Sequence, residues 1–362
     1  MSNWPDWLPL RDQLRPLTPY GAPQVPATAR MNTNENPYGP SKELSNAIAT
    51  RIADVAQSLN RYPDRDCLKL REGLAAFLNS LSGTDLNLGN IWVANGSNEI
   101  LQSVFLAFGS RLALGFTPSY SMHPLIAKVA SVDWVDGARR KDFSLDTEQA
   151  LKQIEELKPA LTFVTTPNNP TGTSVSITDL EKLAAKCKSI NGLLVIDEAY
   201  AEFSSQPSAI TLIEKFPNLL VSRTMSKAFA FAGARVGYLA ANKETIAALQ
   251  LVRLPYHLSA LTQAAAEVAL DFKEQLLSEV RQLVQDRDRM IEDLHSLGLT
   301  VIPSDANFLL FTGFKVPSND LWQRLLAEGV LIRDVGLPGY LRVTIGNGAE
   351  NQAFLTALKG AL

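Results

Sequence analysis

From residue 224 to 238 the chain reads TMSKAFAFAGARVGY, and Lys227 and Arg235 are its only charged groups. A lysine in apolar surroundings is costly as a cation, so it needs a chemical task or an ion-pair partner. Desolvated, its amine can attack a carbonyl carbon. Ser226 adds a hydroxyl, and the Arg235 guanidinium presents the fork that binds phosphate in a bidentate manner.

Three further segments carry suitable groups. In ANGSNEILQSVFLAF a strand ends at Ala94, a glycine turn follows, and a helix is expected to begin near Ser97. The exposed amides of Gly96, Ser97 and Asn98 then form an anion site, the alternative being an ordinary capped helix. In TTPNNPTGTSVS two prolines and a glycine follow the strand LTFV and are expected to hold Asn168 and Asn169 rigidly with their amides available. A plain turn uses the same residue types. In LLVIDEAYAEF, Asp197 closes a wholly apolar strand and Tyr200 follows three residues later. A Walker-B-like magnesium ligand would need an upstream GxxxxGK[ST] loop, which the chain lacks, so a buried structural aspartate is the other reading.

Together these segments supply an anion cradle, a carboxylate, a phenol, an amide and a nucleophilic lysine, the set that pyridoxal phosphate (PLP) requires. The lysine amine condenses with the aldehyde and later shuttles a proton. The carboxylate keeps the ring nitrogen protonated, so that the ring can take up electrons. A phenol and an amide hold the 3-oxygen as an anion, and the phosphate needs a helix N-terminus, hydroxyls and an arginine.

The elements that must position these groups follow from hydrophobic rhythm. From about residue 90, short apolar runs (IWVA, LALGF, VDWV, LTFVTT, LLVID, LLVSRT, VGYLAA) alternate with helical patterns. Runs apolar at every position predict strands covered on both faces, hence a mainly parallel α/β sheet whose carboxyl edge presents the ligand site. Before it, SKELSNAIATRIADVAQSL predicts a helix with Ser41 as N-cap. Three units are expected: an N-terminal Pro- and Asn-rich arm over 1–40, a large cofactor-binding domain over 41–255, and a small α+β domain over 256–362 entered through one long linking helix.

Composition excludes several classes. A chain of 362 residues, 46% apolar and 20% charged, has the make-up of a soluble globular protein with a sizeable core. The net charge of -3 argues against nucleic-acid or membrane-surface partners. Cys67 and Cys187 form no CxxC pair, and His123, His257 and His295 are scattered, so neither a disulfide framework nor a metal site is expected. The opening MSNWPDWLPLRDQL lacks the apolar core of a signal peptide, and no apolar run is of bilayer-spanning length, so the expected location is the cytoplasm.

In order and spacing, PNNPTG, DEAY and SKAFAFAGARVG resemble the fold-type I PLP-dependent aminotransferases. LTPYGAP, MNTNENPYGP, NRYPDRD, NGSNEIL, PSYSMH, SDANFLLF, LIRDVG and YLRVTIG extend the similarity over almost the whole chain, narrowing it to the histidinol-phosphate aminotransferases of actinobacterial type. The resemblance implies a large domain with a mainly parallel seven-stranded sheet and a smaller α+β domain. It implies transamination of L-histidinol phosphate with 2-oxoglutarate, giving imidazole acetol phosphate and glutamate in histidine biosynthesis. Carried over, Lys227 bonds the cofactor's aldehyde as a Schiff base and is the catalytic base. Asp197 pairs with the pyridine nitrogen, Tyr200 and Asn169 contact the 3-oxygen, and Tyr120 stacks on the ring. Ser97, Asn98, Ser226 and Arg235 bind the cofactor phosphate, although members often carry Asp where Asn98 stands. Tyr62 is delivered from the partner of a homodimer with shared active sites. Arg333 and Arg342 hold the substrate's anionic group, while Tyr20 and Asn34 close the site from the arm.

Aromatic (phenylalanine) aminotransferases share these motifs, and so does a PLP decarboxylase of a phosphorylated amino acid. A transcription regulator on this scaffold would need an N-terminal DNA-binding unit, for which the Pro-rich arm is too short. His257 is expected in the core or at an interface.

Overall fold

In a computed structural model, residues 4–19 and 21–362 are described. The arm contributes strand β1 (Ala29–Arg30), and the central sheet is built from β2 (Ile91–Ala94), β3 (Ala113–Thr117), β4 (Trp134–Ala138), β5 (Leu161–Thr165), β6 (Leu193–Asp197), β7 (Leu219–Thr224) and β8 (Gly237–Ala241). These seven lie in the order β2-β8-β7-β6-β5-β3-β4. All their pairings are parallel except the two that β8 makes with β2 and β7. The mainly parallel seven-stranded sheet expected from the sequence is therefore present.

The continuous apolar runs have a direct cause. Successive strand residues face opposite sides, so a sheet covered on both must be apolar at each position. In β2, Ile91 and Val93 join one hydrophobic cluster while Trp92 and Ala94 join the other; Leu194 and Ile196 of β6 oppose Val195 in the same way.

Reversal of β8 decides where the site lies. Gly237 at its start pairs with Ala94 at the end of β2 and with Thr224 at the end of β7. The connection 225–236 thus turns back at the sheet's carboxyl edge, where it carries Ser226, Lys227 and Arg235 beside Asp197, the last residue of β6.

A second, antiparallel sheet follows. It contains β9 (Thr300–Val301) and β10 (Phe308–Thr312); β11 (Val330–Leu331) stands apart, and β12 (Leu341–Thr344) completes the order β12-β10-β9. β11 pairs in parallel with β1, aligning Ala29 with Val330. The arm is stitched on further by Met31 N–H donating to Leu331 O at 2.8 Å and Thr344 N–H donating to Met31 O at 3.0 Å.

Helix Lys42–Ala56 starts as predicted, with the Ser41 hydroxyl accepting from Leu44 N–H at 3.1 Å. Helix Leu68–Ser82 is an addition to the sequence expectation. The single long helix expected after residue 255 is instead two, Ala260–Asp271 and Lys273–Ser296, meeting at Phe272 (φ -100, ψ 16). No proline or glycine marks this break, and apolar periodicity runs through it. Phe272 N–H closes the first helix on Ala269 O, its carbonyl opens the second by accepting from Leu276 N–H, and its ring packs on the core. The first of the pair packs against helices Lys42–Ala56 and Leu68–Ser82. Among the described residues, no helix is long and apolar enough to cross a membrane.

The segment after β6 is clamped from below. Arg223, 3% exposed, reaches Glu198 and Glu202 at 2.8 Å each and donates to Ser208 Oγ at 2.8 Å. Glu198 also accepts from Ala209 N–H at 2.7 Å. Desolvation by itself would lower the Arg223 pKa, but the two carboxylates override it and raise it, while burial raises Glu202. This cluster fixes residues 198–202 and with them Tyr200. Removing one partner of a buried ionic cluster strands the others without compensation. Arg223→Met is expected to lower unfolding free energy by about 3–5 kcal/mol, read from urea midpoints at unchanged slope. A loss below about 1 kcal/mol, the scale of an exposed pair, would contradict the clamp.

Candidate active site

The carboxyl edge of the large sheet opens into a cavity of ≈ 570 Å³ lined by strand ends, the 225–236 connection, the arm and the small sheet. Met225, Ala228, Phe229 and Phe231 of the connection are buried, with Phe229 edge-on to Phe77 at 5.1 Å. Burial of each phenylalanine contributes about 1.5–3 kcal/mol. The apolar residues around Lys227 are therefore plugs that pin the loop, leaving Ser226, Lys227 and Arg235 to face the cavity. Lys227 is half-buried as a residue, with its amine deep in the cavity, where Nζ donates to Thr33 O at 2.9 Å. Desolvation first, then the charge of Arg342, lowers its pKa from 10.5 to about 8, with Glu35 pulling the other way.

Backbone close approach shapes the anion cradle. Helix Ser97–Phe108 begins after Gly96 (φ +79), and no side chain caps it. Glu99 instead turns back to Asn95, accepting from its N–H at 2.8 Å and its Nδ2 at 2.7 Å. A Cβ on Gly96 would lie 2.4 Å from Arg235 Nη2, so the absent side chain is what admits the guanidinium. Arg235 itself adopts φ +58, a left-handed conformation that is uncommon for a long side chain and typical of sites where geometry is imposed. Its Nη1 donates to Ala232 O at 3.0 Å and stands 3.5 Å from Ser226 Oγ. Ser97, Asn98, Ser226 and Arg235 thus converge with a helix N-terminus, a combination suited to an anion.

Asp197, 3% exposed, lies in the cavity wall with Oδ2 at 3.1 Å from His123 Nε2 and Oδ1 accepting from Ala199 N–H at 3.3 Å. Sequence reading gave His123 no role. The pair joins residues 74 positions apart, and the one local signal is the histidine three residues beyond Tyr120 in PSYSMH. Tyr120 lines the cavity, donates its hydroxyl to Asn98 Oδ1 at 3.2 Å and meets the His123 ring edge-on at 5.4 Å.

The two asparagines of PNNPTG divide the work, which corrects the expectation that both amides are available. Asn168 is fully buried; its Nδ2 donates to Pro118 O at 3.0 Å and to Thr171 Oγ1 at 2.8 Å, and its Oδ1 accepts from Ser119 at 2.8 Å. It knits the turn together. Asn169 faces the cavity, where its Oδ1 accepts from Arg342 Nη1.

The arm closes the remaining wall. Asn34 Nδ2 donates to the Tyr200 hydroxyl at 2.9 Å, and Asn34 is itself held by Thr344 Oγ1 at 3.0 Å and by Asn307 Nδ2 donating to its carbonyl at 3.2 Å. Arg342, 6% exposed, donates through Nη2 to Asn32 O at 2.7 Å. Arg333 lines the same wall, its backbone exchanging two 2.9 Å hydrogen bonds with that of Arg342. Thr33, Thr344 and Asn307 are contributors that sequence reading missed, because their partners come from the far end of the chain. Tyr62 stands elsewhere: it is 79% exposed and stacks on Tyr256 at 4.3 Å rather than lining this cavity. Tyr20 lies outside the described residues. His257 Nε2 is 2.8 Å from Val93 O and its ring stacks on Trp92, a packing role.

Known proteins share this fold and much of this sequence. The family model for aminotransferase class I and II matches residues 28–358. A histidinol-phosphate aminotransferase of Mycolicibacterium smegmatis is 54% identical over 353 residues, covering 97% of this chain and 92% of the relative. Among solved structures, the histidinol-phosphate aminotransferase of Sinorhizobium meliloti in complex with pyridoxal-5'-phosphate superposes with a TM-score of 0.84 at 25% identity, over 98% of this chain and 97% of that one. The corresponding enzyme of Clostridium acetobutylicum gives 0.83 at 27%, over 92% and 98%. Matched from the end of its arm into its last helix, and more than half identical to such a relative, the chain belongs to the class I and II aminotransferases, on the histidinol-phosphate aminotransferase branch.

Proposed function

We propose that this chain transfers an amino group between L-histidinol phosphate and 2-oxoglutarate, giving imidazole acetol phosphate and glutamate in histidine biosynthesis. One observation carries the reading: a depressed lysine amine shares its cavity with two separate sets of anion-binding groups. One set, Ser97, Asn98, Ser226 and Arg235 at a helix N-terminus, fits the cofactor phosphate, and the recess left by the missing Gly96 side chain is where its arginine seats. The other, Arg333 with Arg342, fits the substrate. It must take a phosphate in one half-reaction and a carboxylate in the other, and a guanidinium presents the same fork to both.

When bound, pyridoxal phosphate supplies an aldehyde for exchange with amines and a ring that takes up electrons released at the substrate's α carbon. Asp197, oriented by His123, would face the ring nitrogen and keep its proton in place. Tyr200 and Asn169 would hold the 3-oxygen, and Tyr120 would cover the ring face. Lys227 would hold the cofactor through its Nζ, and the same Nζ would take the proton from the substrate carbon and return it. That task requires an uncharged amine near neutral pH, which burial and the neighbouring arginines favour. The arm, through Asn34 and the Thr33 carbonyl, walls the cavity on the side of this amine.

Assembly as a cytoplasmic homodimer with shared sites belongs to the same reading. Leu59, Tyr62, Leu251, Leu254 and Tyr256 are exposed apolar side chains, the kind of surface a partner subunit covers. Tyr62, remote from its own cavity, would then serve the partner's.

Three outcomes are expected. Lys227→Ala should abolish the visible absorbance of the lysine-bound cofactor and reduce turnover by about a thousandfold or more; a variant keeping both would remove the lysine from the mechanism. Asp197→Asn should retain the cofactor yet lose more than about tenfold in turnover with histidinol phosphate, since a charge-assisted hydrogen bond is replaced by a neutral one. An unchanged rate would contradict the ring-nitrogen role. In the cofactor-free protein the unfolded state binds the Lys227 proton more readily than the folded state, so stability should rise with pH between about 8 and 10.5. Subtracting the urea midpoints of Lys227→Met from those of the parent isolates this rise, and a flat difference over that window would contradict the depressed pKa.

A further inference from the structure

The cavity wall contains three acids, Glu35, Asp197 and Asp334. Two of them are engaged by their own surroundings: Asp197 by His123 and the Ala199 amide, and Asp334 by Gly336 N–H at 2.8 Å. Glu35 is different. It is solvent-exposed, its Oε2 accepts from Thr33 Oγ1 at 3.0 Å, and it follows Asn34, whose backbone and side chain are both clasped by the small sheet. A carboxylate is thus steadied at the cavity's arm side, close enough for its charge to act on Lys227 against that of Arg342.

An ionised carboxylate accepts hydrogen bonds and donates none. An imidazole offers at least one ring N–H in either protonation state, a phenyl ring offers none, and the side chain of glutamate brings a second negative charge. We infer that Glu35 is a specificity-determining residue of the proposed reaction, accepting a hydrogen bond from the substrate's imidazole N–H and disfavouring a second carboxylate at the same place. The inference rests on the histidinol-phosphate reading and deepens it: the arginines recognise an anion common to both substrates, while Glu35 distinguishes what else they carry. Glutamate is accommodated against this repulsion, so the two half-reactions respond to Glu35 with opposite sign.

Glu35→Gln keeps the shape, and its amide oxygen can still accept from Thr33. On the PLP-loaded enzyme, calorimetry with 3-(imidazol-4-yl)propyl phosphate and 3-phenylpropyl phosphate, neither of which has an amine to react, reads recognition without turnover. The substitution is expected to weaken the imidazole compound about tenfold and leave the phenyl compound unchanged, the difference between a charge-assisted and a neutral hydrogen bond. In parallel, kcat/KM should fall about tenfold for histidinol phosphate and rise for glutamate. Equal weakening of both phosphates, equal loss in both half-reactions, or no change in either would overturn the assignment. If the parent enzyme fails to turn over histidinol phosphate at all, the underlying reaction is wrong and Glu35 loses this role with it; if it turns that substrate over and Glu35→Gln leaves the ratio of the two half-reactions unaltered, this inference alone fails.

Discussion

Gly237, at the start of β8, lies so close to the turn before helix Ser97–Phe108 that a Cβ on it would sit 2.2 Å from the Gly96 carbonyl carbon and 2.3 Å from Ser97 N. No side chain larger than hydrogen fits there without backbone movement. This contact seats β8 beside β2 in reverse direction, and the reversal returns the 225–236 connection to the carboxyl edge. Lys227, Ser226 and Arg235 then share one mouth with the helix N-terminus and with Asp197. A parallel β8 would need a crossover to the opposite edge and would carry this loop away from the site.

Electrostatics within that mouth are arranged around one amine whose pKa is depressed to about 8. Arg235 and Arg342 both disfavour a proton on Lys227, and burial adds the larger effect. The same two cations belong to the two sets proposed to bind anions, so those groups also tune the lysine. Glu35 opposes them from the arm. Deeper in the fold, Arg223 with Glu198 and Glu202 forms a separate, self-satisfied cluster, keeping charges off the cavity while fixing the turn that presents Tyr200.

Contacts between sequence-distant segments hold the cavity closed. Asp305 N–H donates to Gly172 O at 2.9 Å, and a Cβ on Gly172 would meet Ser304 Oγ at 2.2 Å, so the PNNPTG turn is pressed against the segment leading into β10. The arm is paired with β11, and Lys227 and Arg342 each donate to one of its carbonyls. Motion of the arm therefore changes the surroundings of Lys227 and of Arg342 together.

Much of this was legible in the sequence because its signals are local. Apolar runs specify strands buried on both faces, Ser41 caps its helix, and the types of Lys227, Asp197, Tyr200 and Arg235 state the chemistry they can perform. Other features were not, since they depend on partners far along the chain. His123 against Asp197, Asn34 against Tyr200 and Thr344, and Asn307 against Asn34 are hydrogen bonds that no window of residues reveals. The asymmetry between Asn168, spent inside the turn, and Asn169, facing the cavity, likewise follows from where Ser119 and Arg342 arrive. The bend at Phe272 leaves apolar periodicity unbroken and so escapes any reading of pattern. The sequence by itself determined which functional groups the protein has and which strands must be buried. Tertiary structure decided which of those groups meet, because hydrogen bonds and close approaches between distant segments exist only once the sheet and the arm are in place.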